Sequence, residues 1–353
     1  MVKTALNKTK IRGIVSVVPK RELSLLDNPH LYNGNEKKIK RVIESSGFLK
    51  RRVTNIKTTT SDLCEYAAKK LLSKLSIEKE TIDGLLFVSY TPDYIMPATS
   101  YVLHKKLGLS ENCIVADIPQ ACSGYVFGLY QAAMMINSGC KRVLLLVGDT
   151  FSKFSDMFND NTAPVFGDAG SATLIDYDDN AGPMYFNIKS DGQHYDALIS
   201  NNGGFRNIIS KDDFYANGDY KYSAKMNGAE IFTFAMEKIS PSIEEILEFA
   251  NVKKDEINHY VLHQANKFIL QNIAMQLEIQ PNLIPAETLS KYGNQCGASI
   301  PCTISDQLEY EVSNNNNKIL LSGFGVGLSW ISAIVDINQI YCSKILEYGE
   351  NYE

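Results

Sequence analysis

Two stretches, KLSIEKETIDGLLFVSY (residues 74–90) and FANVKKDEINHYVLHQA (residues 249–265), align without a gap at an offset of 175 residues. Each joins a helix-like pattern, a short charged loop and an apolar run. A second pair, KRVLLLVGD (residues 141–149) and NKILLSGFG (residues 317–325), lies at nearly the same offset, with Gly148 opposite Gly323. Because two separate blocks share the offset, we interpret the chain as two related halves. A chance match between two α/β segments is the alternative.

Helix-like and strand-like patterns alternate in each half, which predicts α/β layers. The apolar runs do not alternate with polar residues, as expected of strands covered on both faces. The segment SPSIEEILEF (residues 240–249) has helical periodicity, with Pro241 in its predicted first turn. We predict an N-terminal half over residues 1–180, connecting loops to about residue 220, and a C-terminal half over residues 221–353. The stretch 176–219, rich in Asn, Asp and Gly, predicts a strand pair with loops.

The composition is that of a globular protein, with 44% hydrophobic and 21% charged residues among 353. A net charge of -5 argues against a broad nucleic-acid surface. The seven cysteines are scattered and form no C-x-x-C pair, which argues against a disulfide framework or a zinc site and favours a reducing compartment. No signal-peptide pattern or bilayer-length apolar run is present. We therefore expect a cytoplasmic protein without membrane, metal or cofactor.

Cys122 lies in ADIPQACSGYVFGLYQAAMMI (residues 116–136), where an apolar segment leads into small residues and a helical run. This pattern places the thiol at a strand-to-helix turn, where helix N–H groups and the helix dipole stabilise a thiolate. Ser123 and Gly124 keep the turn small enough for a substrate to approach. The alternative is a buried cysteine that acts only as a small hydrophobic side chain.

His263 and Asn294 are the other candidate site residues. His263 follows an apolar run in HYVLHQANKFIL (residues 259–270), so its ring is expected at the carboxyl end of a strand, where α/β proteins bind ligands. Asn294, in KYGNQCGASIP (residues 291–301), lies in a turn equivalent within the repeat to the Cys122 turn. A structural histidine and a turn-forming or helix-capping asparagine are the alternatives.

The glycine-rich segment SGFGVGLSW (residues 322–330) follows the last apolar run of the second half. Its glycines allow backbone N–H groups to point at a ligand, as an oxyanion hole requires, and the segment lacks the pattern of a phosphate-binding loop. A cysteine, a histidine, an asparagine and such a loop together suit nucleophilic chemistry on a thioester.

These motifs resemble the β-ketoacyl-acyl-carrier-protein synthase III family of the thiolase superfamily. The resemblance extends over residues 10–338 and is carried, in family order, by QACSG, VFGDAGSA, MNGAEIF, HQAN, YGN..GAS and GFGVG. It implies an α/β, thiolase-like fold in which two duplicated halves form five αβαβα layers. It also implies a homodimer.

The resemblance further implies a decarboxylative Claisen condensation. Cys122 would take an acyl group from acyl-coenzyme A or an acyl carrier protein (acyl-ACP). His263 and Asn294 would bind the carbonyl of malonyl-ACP, and the backbone N–H groups of Cys122 and Val326 would form the oxyanion hole. The acyl pocket would include Phe324 and Met96, the latter reaching across the dimer.

Several positions depart from the family pattern. The family's tryptophan and arginine that hold the coenzyme A adenine correspond to Arg41 and Asp160, and two basic carrier-docking positions correspond to Thr233 and Phe268. Met96 replaces a pocket phenylalanine. These differences favour a specialised lipid or secondary-metabolite pathway over acetyl-coenzyme A priming.

Three alternatives remain open at this level. The first is an acyltransferase that moves the Cys122-bound acyl group to an alcohol or amine. The second is a non-catalytic partner subunit of a condensing enzyme, although retention of all three site residues argues against it. The third is an acyl-carrier-binding module whose docking surface comprises residues 50–52 and Lys267; such a charged run is more often a solvated face.

Overall fold

The computed structural model describes residues 2–28, 31–153, 162–201, 203–208 and 224–349. The helices are α1 (Glu36–Ser46), α2 (Thr60–Lys74), α3 (Thr99–Leu107), α4 (Gly124–Asn137), α5 (Gly228–Ala250), α6 (Lys267–Gln276), α7 (Thr288–Tyr292), α8 (Ser299–Gln307) and α9 (Glu309–Asn314). The strands are β1 (Val2–Leu6), β2 (Thr9–Pro19), β3 (Glu22–Ser24), β4 (Lys50–Arg52), β5 (Gly84–Val88), β6 (Ile114–Ile118), β7 (Arg142–Asp149), β8 (Ala169–Tyr177), β9 (Met184–Ser190), β10 (Leu198–Ile199), β11 (Lys225–Met226), β12 (His259–Leu262), β13 (Asn316–Gly325), β14 (Ser329–Asn338), β15 (Tyr341–Cys342) and β16 (Leu346–Tyr348).

Two large sheets repeat one strand arrangement. The first has the order β15-β2-β8-β7-β5-β6, with β16 also paired to β2, and the second has the order β1-β9-β14-β13-β12. In the first, β2 and β7 flank β8 in antiparallel fashion while β5 lies parallel to β7. In the second, β9 and β13 flank β14 in the same antiparallel fashion while β12 lies parallel to β13. The predicted duplication of α/β halves is confirmed.

The helices complete five layers. Helices α4 and α8 lie between the two sheets and contact strands of both. Helices α2 and α3 cover the outer face of the first sheet, and α5 covers the outer face of the second, with α6 packed beside it. Three apolar clusters fill the spaces: a central one around α4 and α8 and one beneath each outer helix layer. This is the predicted αβαβα arrangement.

Strands at both ends of the chain pair outside their own half. β1 pairs with β9 in the second sheet, whereas β15 and β16 pair with β2 in the first. β9 lies within the stretch predicted as a connection, yet it is a full strand of the second sheet. Residues 202 and 209–219 of that stretch lie outside the described residues. The predicted boundaries, 1–180 and 221–353, stay a prediction.

The predicted start of a helix near Pro241 is wrong. Helix α5 begins after Asn227, whose side-chain oxygen accepts a hydrogen bond from the Glu230 N–H, and it continues through Pro241 to Ala250. An interior proline costs a helix about 3 kcal/mol. Phe234, Ala235, Ile239, Ile243, Ile246 and Leu247 of this helix are buried against the second sheet, and their packing outweighs that cost.

Within the described ranges, no helix combines the length and apolar character needed to cross a bilayer. In those same ranges, no three His, Cys, Asp or Glu side chains converge as a metal site. The expectations about membrane, metal and cofactor stay predictions.

Candidate active site

Cys122 lies in the turn between β6 and α4, two residues before the helix begins. The turn closes with a hydrogen bond from the Gly124 N–H to the Ala121 carbonyl. The thiol is 6% exposed. Its position next to the unpaired N–H groups of a helix start favours the thiolate form.

The Cys296 thiol is a neighbour of Cys122 that the sequence patterns did not indicate. Both side chains belong to one buried cluster with Ala121 and Phe166. The Cys296 thiol lies in the same buried cluster as Cys122, and hydrogen bonding from Cys296, together with the nearby His263 ring, favours the Cys122 thiolate. Together they hold the pKa of Cys122 well below its ordinary value, although burial opposes this. The same contact and burial raise the pKa of Cys296, so Cys296 keeps its proton while Cys122 is the thiolate.

The other cysteines differ sharply from Cys122. All seven lie in the described part of the chain, and none forms a disulfide. Burial raises the pKa of Cys113 to about 11 and those of Cys302 and Cys342 to about 12. The pKa values of Cys64 and Cys140 are also raised by burial. Cys122 is therefore the thiol best suited to act as a nucleophile.

His263 follows the last residue of β12 and is buried. Its Nδ1 lies 2.8 Å from the Ser299 hydroxyl at the start of α8. The Ser299 oxygen also accepts a hydrogen bond from the Gln264 N–H at 3.4 Å. The other ring nitrogen, Nε2, faces Asn294.

Asn294 is held by backbone and side-chain contacts. Its N–H donates to the Val165 carbonyl at 2.8 Å, and its carbonyl accepts from the Gly167 N–H at 3.0 Å. The side-chain oxygen accepts from the Cys296 N–H at 2.9 Å. The side-chain nitrogen is thereby directed to within 3.5 Å of the His263 Nε2. The Asn294 amide nitrogen and the His263 Nε2 thus lie side by side.

The glycine-rich loop between β13 and β14 packs directly on the Cys122 turn. A side chain at Gly325 would come within 2.6 Å of the Cys122 Cβ and 3.0 Å of its sulfur. A side chain at Gly323 would come within 2.9 Å of the Ser123 Cα. These glycines let the loop approach closely enough for the neighbouring Val326 to lie beside the nucleophile.

The two predicted acyl-pocket residues have different settings. Phe324 is buried, and its ring packs edge-on against the His263 ring with centroids 5.5 Å apart. Met96 is 82% exposed, in a loop with the exposed Tyr94 and Ile95. The structure therefore brings Phe324 to the site and does not bring Met96 to the Cys122 of its own chain.

The sequence patterns did not indicate three neighbours of the site. Two are Cys296 and Ser299, and the third is Asp149. Its buried carboxylate accepts hydrogen bonds from the Tyr90 N–H at 2.9 Å and the Gly297 N–H at 3.3 Å. Burial raises its pKa to about 7. Only the repeat offers a signal for these contacts: at the same offset, Ser299 corresponds to Gly124 and Asp149 to Phe324.

The described positions that depart from the carrier-binding pattern lie on the surface. Arg41, Thr233 and Phe268 are exposed, and the Phe268 ring stacks on the partly buried Phe232 with centroids 5.5 Å apart. Asp160 lies outside the described residues. An exposed aromatic ring thus occupies a position for which the resemblance implies a basic side chain.

The basic run at residues 50–52 is engaged within the molecule. Lys50 pairs with Glu22 at 2.8 Å, and Arg52 pairs with Glu347 at 2.8 Å. Arg51 is buried and donates to the Phe166 carbonyl. These contacts fix the β3–β4 hairpin and argue against this run as a free docking surface.

Solved structures and curated sequences include close relatives of this chain. A crystal structure of a 3-oxoacyl-(acyl-carrier protein) synthase from Burkholderia xenovorans has a TM-score of 0.93, with 32% identity over 98% of this chain and 99% of that one. The β-ketoacyl-[acyl-carrier-protein] synthase III of Sulfurimonas denitrificans is 32% identical, covering 93% of this chain and 98% of the relative. That of Streptococcus mutans is 33% identical, covering 84% and 90%.

The five-layer fold and the Cys–His–Asn site define a thiolase-like condensing enzyme. The family model of 3-oxoacyl-[acyl-carrier-protein] synthase III matches residues 116–192, and the model of its C-terminal part matches residues 247–337. The chain belongs to the 3-oxoacyl-[acyl-carrier-protein] synthase III family, also called β-ketoacyl-[acyl-carrier-protein] synthase III.

Proposed function

We propose that this condensing enzyme loads an acyl group on Cys122 and joins it to a malonyl-type thioester with loss of carbon dioxide. The observation that carries the proposal is the lowered pKa of Cys122 beside the His263 Nε2 and the Asn294 amide nitrogen, which lie 3.5 Å apart. With the imidazole proton on Nε2, both nitrogens donate. A nucleophile alone would suit many acyl transfers. The paired donors suit the enolate of a condensation.

In the first step the Cys122 thiolate attacks the acyl thioester carbonyl. The sulfur–carbon bond forms, and the carbonyl oxygen takes negative charge opposite the N–H groups of Cys122 and Val326. The thiol of coenzyme A or of the carrier then leaves as a thiolate and takes a proton from solvent. The lowered pKa of Cys122 favours this step, because only the thiolate attacks the carbonyl.

In the second step the malonyl-type donor places its thioester carbonyl oxygen between the His263 Nε2–H and the Asn294 amide. The carbon–carbon bond to the carboxylate breaks, carbon dioxide leaves, and the electron pair forms an enolate held by both donors. The 3.5 Å separation of the two nitrogens allows both to bond one oxygen. The enolate carbon then attacks the acyl carbonyl, and Cys122 leaves as thiolate.

We also propose the finer assignments that the family suggests: acyl-coenzyme A or acyl-ACP as the acyl donor, malonyl-ACP as the extender, and an acyl carrier protein as partner. A cytoplasmic homodimer, with Met96 completing the partner's acyl pocket, belongs to the same proposal. The exposed Phe268 ring, stacked on Phe232, supports a carrier other than that of general fatty-acid synthesis.

The test separates the two half-reactions. Intact-protein mass after incubation with a panel of acyl-coenzyme A and acyl-ACP thioesters should show one adduct that is absent in Cys122→Ala. His263→Ala and Asn294→Ala should keep most of the acylation and lose condensation with malonyl-ACP. An adduct retained in Cys122→Ala would contradict the assigned nucleophile. Transfer of the adduct to alcohols or amines, without condensation, would favour an acyltransferase instead.

A further inference from the structure

The site holds a second thiol that the proposed condensation does not use. Cys296 is 1% exposed and lies in the turn before α8, where its N–H is bonded to the Asn294 side chain. The adjacent Gly297 packs against the Cys122 turn, since a side chain there would come within 3.0 Å of the Ala121 carbonyl oxygen. The two turns thus bring both thiols into one buried cluster.

We propose that Cys122 and Cys296 form a reversible disulfide when the enzyme meets a hydroperoxide, and that Cys296 thereby protects the nucleophile from irreversible oxidation. One member of the pair has a lowered pKa and the other is a protonated thiol of the same buried cluster. This is the arrangement in which an oxidised thiolate can be captured by its neighbour. The disulfide depends on the thiol pair and not on which thioesters the enzyme joins.

The chemistry balances with the peroxide as the oxidant. The Cys122 thiolate attacks one peroxide oxygen, so a sulfur–oxygen bond forms, the oxygen–oxygen bond breaks, and the other oxygen leaves as an alcohol or water after taking a proton. Cys122 is then a sulfenic acid. The Cys296 sulfur attacks the Cys122 sulfur, its proton passes to the departing hydroxyl, and water leaves as the disulfide forms.

The first oxidation also makes Cys296 more reactive. In the reduced site the negative Cys122 sulfur keeps Cys296 protonated. Sulfenic acid formation removes that negative charge, so Cys296 can lose its proton more readily. No other cysteine has a lowered pKa, and Cys302, for example, lies on α8 in a cluster without a second cysteine.

Peptide mapping with and without a reductant tests the disulfide. The wild-type enzyme, treated with a modest excess of hydrogen peroxide, should lose two hydrogen atoms in intact mass and give a cross-linked peptide containing Cys122 and Cys296. Dithiothreitol should restore the reduced mass and the rate of Cys122 alkylation by iodoacetamide. Cys296→Ser should instead gain two or three oxygen atoms at Cys122 and fail to recover.

Cys302→Ser is the matched control, since it removes a buried thiol of α8 and should behave like wild type. Cys296→Ala serves as a second variant if the serine disturbs the fold, with thermal unfolding as the check. Recovery of Cys296→Ser and Cys296→Ala to the wild-type extent, or a wild-type digest without the cross-linked peptide, would overturn the proposal. Both readouts are masses or alkylation rates, so failure of the condensation assay would not affect them.

Discussion

At the scale of single residues, neighbouring side chains lower the pKa of Cys122 and orient the His263 ring. Cys296 and His263 stabilise the Cys122 thiolate, while Ser299 holds the His263 ring from the opposite side. Buried polar groups that are fully bonded in this way have fixed orientations. The histidine can therefore present an N–H to the substrate without rearranging.

Ser299→Ala should slow condensation more than acylation. The change removes the 2.8 Å hydrogen bond between the Ser299 hydroxyl and the His263 Nδ1, which fixes the orientation of the ring. We expect a roughly five- to tenfold lower condensation rate, because a hydrogen bond of this kind contributes about 1 kcal/mol. Single-turnover rates of acylation and of condensation would measure the two steps separately.

Ser305→Ala is the control, since Ser305 lies in the same helix and donates to Ser16 at 2.9 Å, away from His263. It should leave the ratio of the two rates unchanged. An equal fall in both rates for Ser299→Ala would show that Ser299 supports the fold rather than the histidine.

At the scale of elements, the site is assembled from four segment ends. The turn after β6 carries Cys122, the end of β12 carries His263, the turn before α8 carries Asn294, and the β13–β14 loop closes over them. Asp149 at the end of β7 bonds both the loop after β5 and the turn before α8. A single carboxylate thus connects segments of the two halves.

Asp149 should make the stability of the enzyme pH-dependent. Its pKa is about 7 in the fold, above the ordinary value of 3.8. Between these values the folded state binds more protons than the unfolded state, so the free energy of unfolding should fall as pH rises from about 4 to about 7. The contribution is at most a few kcal/mol, because one pKa unit corresponds to about 1.4 kcal/mol.

Urea unfolding at several pH values, for wild type and Asp149→Asn, measures this contribution. The variant should show a flatter dependence between pH 5 and about 7 than wild type, whatever its absolute stability. Parallel curves for the two proteins would assign the pH dependence to other groups.

At the scale of the whole molecule, one apolar surface has no partner within the described chain. Tyr94, Ile95 and Met96 are exposed together in the loop after β5, and Tyr101 is exposed on the adjacent α3. Clustered exposed apolar side chains are typical of protein interfaces. This exposed apolar cluster supports the proposed homodimer, in which Met96 reaches the partner's acyl pocket.

Ile95→Lys should convert the dimer into monomers, because a charge in an apolar interface loses its hydration without gaining a partner. Sedimentation velocity would give the mass of each species. Met275→Lys is the control, since Met275 is 70% exposed on the outer helix α6. A wild-type monomer, or a dimer that survives Ile95→Lys, would remove the basis for assigning Met96 to the acyl pocket.

The repeat explains what the sequence could and could not predict. Its nearly constant offset predicted two related α/β halves and the proximity of the Cys122 and Asn294 turns, because equivalent strands end at equivalent places. The five αβαβα layers were implied by the family resemblance. It gave no sign that β1 and β9 join the second sheet, since strand pairing over long separations leaves no local pattern. The contact of Cys296 with Cys122 was hidden for the same reason. The prediction of a helix start at Pro241 was wrong because buried side chains of α5 stabilise the helix on both sides of the proline.

The exchange of terminal strands between the sheets has a consequence for the newly made protein. A ribosome synthesises β15 and β16 after the other strands of both sheets, yet they cover the edge of β2, which emerges early. Until β15 and β16 have emerged, the first sheet presents an open edge of backbone N–H and C=O groups, which is the surface that pairs wrongly with other chains. Premature termination just before Tyr341 would leave a complete catalytic set on a polypeptide prone to aggregate.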